Sequence, residues 1–141
     1  LGDVYKRQGH VHDGTLGWVG FMTVGALYHM VPRMFKKELY SKSLMEAQFW
    51  IQTTGLVMFF SSMWIAGITQ GMMWRATNEF GSLAYTFIDT VNALKPYFWI
   101  RAVGGFLYLL GFFMFAYNMF KTFSSGRVLE KEPQSTSPMA A

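Results

Sequence analysis

Three stretches of the chain run without an Asp, Glu, Lys or Arg: 14–32, 47–74 and 102–120. A helix rises about 1.5 Å per residue and needs about 20 apolar residues to cross the hydrocarbon core of a bilayer, with a lower limit near 17. All three runs meet that length, and the second is long enough to tilt or to extend past the interface. The pattern predicts an all-α fold, a transmembrane helical bundle fragment with three membrane spans at about 10–32, 47–74 and 98–121. Pro32 is expected to close the first span, because proline disrupts the helix ahead of it. Between the second and third runs, Phe80, Leu83, Phe87, Val91 and Leu94 recur at steps of three and four. That is one apolar stripe, and it predicts a surface helix over about 79–94 lying along the outer face of the bundle. Residues 124–141 are rich in Ser, Pro and Ala without apolar periodicity, and read as a disordered tail.

Composition agrees with the pattern. Only 14% of the residues are charged, against about a quarter in a soluble domain, while 52% are hydrophobic and 18% aromatic. The net charge of +4 is no sign of a nucleic-acid partner, since the basic residues fall in the breaks between apolar runs. With no Cys there is no disulfide framework, no thiolate metal site and no covalent haem-attachment motif. Trp50, Trp64, Trp74 and Trp99 lie mostly near span ends, as interfacial belts require. Gly17, Gly20 and Gly25, then Gly104, Gly105 and Gly111, allow close helix–helix approach in lipid. Residues 1–8 lack the apolar core of a signal peptide, and a chain opening on Leu1 reads as a piece of a longer protein.

Loop charges set the expected orientation. The stretch 33–43 holds Arg33, Lys36, Lys37 and Lys42, and the tail adds Lys121, Arg127 and Lys131. The longer stretch 75–101 holds only Arg75, Lys95 and Arg101. The positive-inside rule puts the first loop and the C-terminus in the cytoplasm, and the start of the first span near the outer face. Lys6 and Arg7 run against this.

The densest candidate chemistry lies at that outer end, in Gly9-His10-Val11-His12. Positions i and i+2 of an α-helix point roughly 200° apart, so these two imidazoles cannot grip one metal ion together. They could each serve a separate metal centre. The competing reading is a pair of interfacial histidines bonded to headgroups, and spacing alone leaves the two open. Polar residues at membrane depth are functional suspects by default. Arg75 follows Trp74 at the outer end of the second span. A guanidinium there could clamp carboxylates in bidentate fashion or snorkel to headgroups. Arg101 and Trp74 fit interfacial roles better. His29, Tyr28, Tyr108, Tyr117 and the hydroxyls of Thr23, Thr53, Thr54, Ser61 and Ser62 are read as packing.

Gly9-His10-Val11-His12 followed by Gly14-Thr15-Leu16-Gly17-Trp18-Val19-Gly20-Phe21 resembles the tenth helix of the haem–copper oxidase catalytic subunit, subunit I, of the cbb3 type. Ala26-Leu27-Tyr28, Val31-Pro32 and the run from Gly67 through Gln70, Trp74 and Arg75 to Ala76 continue the likeness in order. Arg101-Ala102-Val103-Gly104-Gly105 and Ala116-Tyr117-Asn118 extend it into the last span. The likeness covers about residues 9–123. It implies helices ten to twelve of a twelve-helix subunit, the C-terminal part of a cytochrome c oxidase that reduces O2 to water and pumps protons in a bacterial inner membrane. It implies that His10 is the axial ligand of the high-spin haem b3 and His12 one axial ligand of the low-spin haem b; the carboxylates that an Arg75 clamp would hold are then haem propionates. The copper, its ligands and the second ligand of haem b would lie outside this fragment, which alone should be inactive. The implied partners are membrane lipid, the remaining helices of subunit I, membrane-anchored cytochrome c subunits, cytochrome c as electron donor and O2. A nitric-oxide reductase large subunit, or a cofactor-free transport or structural bundle, is the alternative. Two departures stand out. Residues 1–8 do not look like the family's sequence and are set apart as a candidate artefact. Asp13 stands where a small or neutral residue is expected, and could tune a neighbouring ligand or face water.

Overall fold

The structure is a computed structural model that describes residues 2–125. It is helical nearly throughout. Helix α1 (Gly2–His12) runs without a break into a π-helical segment (Asp13–Val19) and then into α2 (Gly20–Phe35). Helices α3 (Lys42–Met73) and α4 (Phe87–Ser125) follow. Most of residues 124–141, expected to be a disordered tail, lies outside the described residues.

Helices α3 and α4 are each long and apolar enough to cross a membrane. They form an antiparallel hairpin and share the largest interface in the molecule. Their backbones meet at Gly55 and Gly104. A Cβ on either would stand 2.7 Å from the other's carbonyl oxygen, so no side chain fits at that crossing. Lower down, Gly111 gives the same room to Gln52. The helical run α1–π–α2 lies antiparallel to α3. His12 packs on Phe59, Phe21 on Phe49 and, farther along, Tyr28 on Phe115 of α4.

The interior of the hairpin is polar as well as apolar. Gln48, Gln52, Ser62, Gln70, Thr90, Asn118 and Thr122 are buried beside Leu56, Met63, Ala66, Leu94, Phe115 and Met119. Large apolar side chains instead cover the outside, among them Trp99 (75% exposed), Phe106 and Phe120. In lipid this arrangement is favourable. Apolar side chains gain nothing by leaving a hydrocarbon surface, whereas amides and hydroxyls are better placed inside the protein, where Ser62 and Thr122 bond to carbonyls of their own helices. Asn118 is the clearest case. Its Nδ2 donates to the Ser41 carbonyl at 3.0 Å and its Oδ1 accepts from the Ser41 N–H at 3.3 Å. Ser41 in turn caps α3, its hydroxyl oxygen accepting from the Leu44 N–H at 3.2 Å.

Three sequence expectations about element boundaries are corrected. Helix α2 passes through Pro32 and ends one turn later at Phe35, where Lys36 turns into the left-handed region (φ 50°). The N–H groups of Lys36 and Lys37 then satisfy the carbonyls of Arg33 and Pro32. Second, no separate surface helix spans 79–94. Residues 74–86 form a tight turn closed by a Thr77–Leu83 bridge, with Phe80 exposed at its tip. The helix starts at Phe87, because Thr86 and Asp89 bond reciprocally there. The Asp89 carboxylate accepts from the Thr86 N–H at 3.0 Å, and the Thr86 hydroxyl accepts from the Asp89 N–H at 3.2 Å. Third, the last span begins not near 98 but in this same helix, which continues through Pro96. Pro96 removes the N–H that would serve the carbonyl of exposed Asn92. Of the predicted stripe only Leu94 is buried.

Candidate functional site: the histidine pair and the π segment

Both histidines lie in the last turn of α1, in α-helical conformation. The spacing therefore does splay them. His12 turns inward and its ring packs against Phe59 of α3, centroids 5.4 Å apart. His10 is exposed, on another side of the helix. Gly9 and Gly17 seat the same helical run on α3. Gly9 is buried against Trp64, and a Cβ on Gly17 would meet Leu56 at 3.2 Å.

The His12 ring is tethered through Nδ1, which lies 2.7 Å from the Gln8 carbonyl oxygen. A carbonyl can only accept, so Nδ1 carries the proton. In the neutral ring Nε2 is then the nitrogen with the lone pair. A metal-binding imidazole is commonly held this way, its second nitrogen donating to a carbonyl or carboxylate that fixes tautomer and ring direction. The donor set thus suits axial coordination of a haem iron, which asks one imidazole from this chain per metal. No group of three or more His, Cys, Asp or Glu that could hold a bare metal ion exists among the described residues.

The structure does not bring Arg75 to the pair. Arg75 is exposed in the turn after α3, whose last residue, Met73, lies about 14 Å farther along the axis than Trp64 at ~1.5 Å per residue. Arg101 lies with its guanidinium over the Phe98 ring, 5.2 Å from the centroid. His29, on α2, accepts through Nε2 from the Arg33 guanidinium and is remote from the pair. Asp13 opens the π segment, and its carboxylate folds back over Gly17. It borders a cavity of about 500 Å³ with Gly17, Trp18, Phe21 and Thr53.

Two features of the site had no clear signal in the sequence. One is the π winding itself, hinted at only by Gly14 and Gly17 within Asp13–Val19. The other is Tyr108, whose hydroxyl donates to the Leu16 carbonyl at 2.9 Å from a position 92 residues away.

Residues 3–107 match the family model for cytochrome c and quinol oxidase polypeptide I, a match that takes in residues 3–8 of the segment set apart above as unlike the family. Among curated proteins, the chain is 47% identical over 131 residues to a cytochrome c oxidase subunit 1 homolog, bacteroid, of Bradyrhizobium diazoefficiens, covering 92% of this chain and 24% of that one. It is 43% identical over 123 residues to the cbb3-type cytochrome c oxidase subunit CcoN1 of Stutzerimonas stutzeri, covering 86% and 26%. A cytochrome c oxidase subunit 1 of Rhodobacter capsulatus is 47% identical over 115 residues, covering 81% and 22%. The chain spans about a quarter of the length of the relatives it matches. The splayed histidines, the apolar helices with their polar seams and these likenesses agree, and the chain belongs to the cytochrome c and quinol oxidase polypeptide I family, the haem–copper oxidase subunit I, with cbb3-type members among its relatives.

Proposed function

We propose that this chain is the C-terminal part of the catalytic subunit of a cbb3-type cytochrome c oxidase and supplies axial histidines to two haems. His10 is assigned to the high-spin haem b3 and His12 to the low-spin haem b. The observation that carries the reading is that both imidazoles stand on one α-helix, on different sides, with the His12 Nδ1 proton committed to a backbone carbonyl. That tether leaves one nitrogen for a metal and fixes the direction of the ring. When bound, the haems, with the copper held elsewhere in the subunit, supply electron transfer and the reduction of O2 to water. The chain's own residues hold and orient. Helix α1 separates the two ligands, Phe59 buttresses the His12 ring and α3 seats the helix at Gly9 and Gly17. Arg75 is assigned to carboxylates at the haem edge.

The proposed setting is a bacterial inner membrane, with the pair near the outer face and the C-terminus in the cytoplasm. The proposed partners are lipid, the remaining helices of the subunit, membrane-anchored cytochrome c subunits, cytochrome c and O2. Proton pumping belongs to the same reading of the whole subunit. The names of the relatives favour an oxidase over a nitric-oxide reductase or a cofactor-free bundle.

The test is a pair of reduced-minus-oxidised spectra on the full-length subunit. His12→Ala should remove the low-spin signal. His10→Ala should spare it and abolish oxygen reduction. Equal loss in both variants, or none in either, overturns the assignment.

A further inference from the structure

The helical run from Gly2 to Phe35 changes its winding once, and the change abuts the histidine pair. Asp13–Val19 is wound as a π-helix, and His12 is the residue immediately ahead of it. A π turn bonds residue i to i+5 instead of i+4 and so takes in about one extra residue. At 3.6 residues per turn, one residue corresponds to about 100° of rotation. The direction in which His12 leaves the helix, relative to α2 and the bundle below, therefore depends on this segment keeping its wide winding. Such winding is rare and normally confined to a single turn. Neither the π segment nor α2 contains a fully buried residue, so their own packing holds them loosely.

Tyr108 of α4 supplies a fastening. Its hydroxyl donates to the Leu16 carbonyl at 2.9 Å, inside the π segment and one turn beyond His12. The hydroxyl reaches there because residue 20 has no side chain: a Cβ on Gly20 would stand 2.6 Å from the Tyr108 oxygen. The surroundings are apolar. Leu16, Leu56, Phe59, Gly105 and Tyr108 border one cavity of about 340 Å³ that is almost wholly apolar. A hydrogen bond in such a place is stronger than one exposed to water, and its loss leaves a carbonyl without that partner. Phe59, on the same cavity wall, is also the ring on which His12 rests.

We propose that Tyr108 is a positioning residue: by holding the Leu16 carbonyl across the space left by Gly20, it fixes the π winding and thereby the direction of the His12 imidazole. This rests on the reading of His12 as a haem ligand.

The experiment uses the full-length subunit in its membrane complex and compares Tyr108→Phe, Gly20→Ala and the double variant, with Tyr117→Phe as an exposed control. The readouts are the midpoint potential of the low-spin haem and the g-anisotropy of its oxidised form, which reports the planes of the axial imidazoles. The expected result is full haem content, a shift of both readouts in the same direction for Tyr108→Phe and Gly20→Ala, no further shift in the double variant, and no change for Tyr117→Phe. Unchanged readouts in both single variants overturn the proposal, provided that His12→Ala removes the low-spin signal. If His12→Ala leaves that signal intact, the ligand reading itself has failed. A Tyr108→Phe subunit that loses its haem or does not assemble also counts against the proposal, because the hydroxyl is assigned to orientation and not to holding the bundle together.

Discussion

The α3–α4 hairpin and the helical run α1–π–α2 are built on different terms. Within the hairpin, α3 alone buries nine residues, Gly55 touches the backbone of α4, and Asn118 of α4 clasps the Ser41 backbone at the head of α3. Within the π segment and α2 no residue is fully buried, and Trp18, Met22, Met30 and Met34 are open to the outside. Yet the histidine pair sits at the head of this less covered run. Packing strength and chemistry are thus separated. The hairpin is the better-packed scaffold, and the run that carries the histidines is docked on it by one face. That face is held by a few specific contacts, His12 on Phe59 and Tyr108 on Leu16 among them. The remaining faces are open for contacts that this segment alone does not supply.

The sharpest way to break the contrast is steric. Gly104→Leu places atoms where the Gly55 carbonyl already lies at 2.7 Å, so it should cost 3 kcal/mol or more on the order-of-magnitude scale of overpacking and prevent the full-length subunit from accumulating in membranes. Gly25→Ala in α2 meets nothing within 4 Å and should be neutral or stabilising by up to about 1 kcal/mol. If both variants accumulated equally, the hairpin would not be the scaffold. Next in size is Asn118→Leu, which leaves the Ser41 backbone N–H and carbonyl unpaired. It should lower thermal stability by about 1–3 kcal/mol, whereas Thr23→Ala on the exposed side of α2 should change melting little. Thr86→Ala removes half of the reciprocal cap at the start of α4. A loss of about 1 kcal/mol is expected, read as a lower melting temperature with unchanged haem spectra. The smallest effect is assigned to Arg75→Gln, which should leave haem content and stability intact and shift haem potentials slightly. A loss of haem would place Arg75 closer to the pair than the turn after α3 does.

Much of this was legible in the chain, and the exceptions have physical causes. Uncharged runs of sufficient length mark helices in lipid, and α3 and α4 fall on two of them. The third run holds most of the π segment and all but the last turn of α2. The cap formed by Thr86 and Asp89 locates the start of α4 in the structure. The stripe from Phe80 to Leu94 did not locate it, because a periodicity of three and four is indifferent to where a turn ends and a helix begins. Pro32 misled for a related reason. Proline removes one N–H and crowds one carbonyl, which ends a helix only when nothing else carries the backbone onward. Here the flanking turns do so. The opposite placement of His10 and His12 followed from helical winding alone. The tether of His12 to the Gln8 carbonyl could be imagined in any helix, but its existence depends on a rotamer that the sequence does not state.

The order of elements, their membrane character and the divergence of the two imidazoles were set by local properties of the chain: charge-free length, hydropathy and the fixed angle between successive helical residues. The π winding below the pair, the seat of His12 on Phe59, the Tyr108–Leu16 bond and the Asn118 clasp on Ser41 were settled only by the tertiary structure. Each joins residues far apart in sequence, or balances a local winding against a distant partner, and no window along the chain contains both sides of that balance.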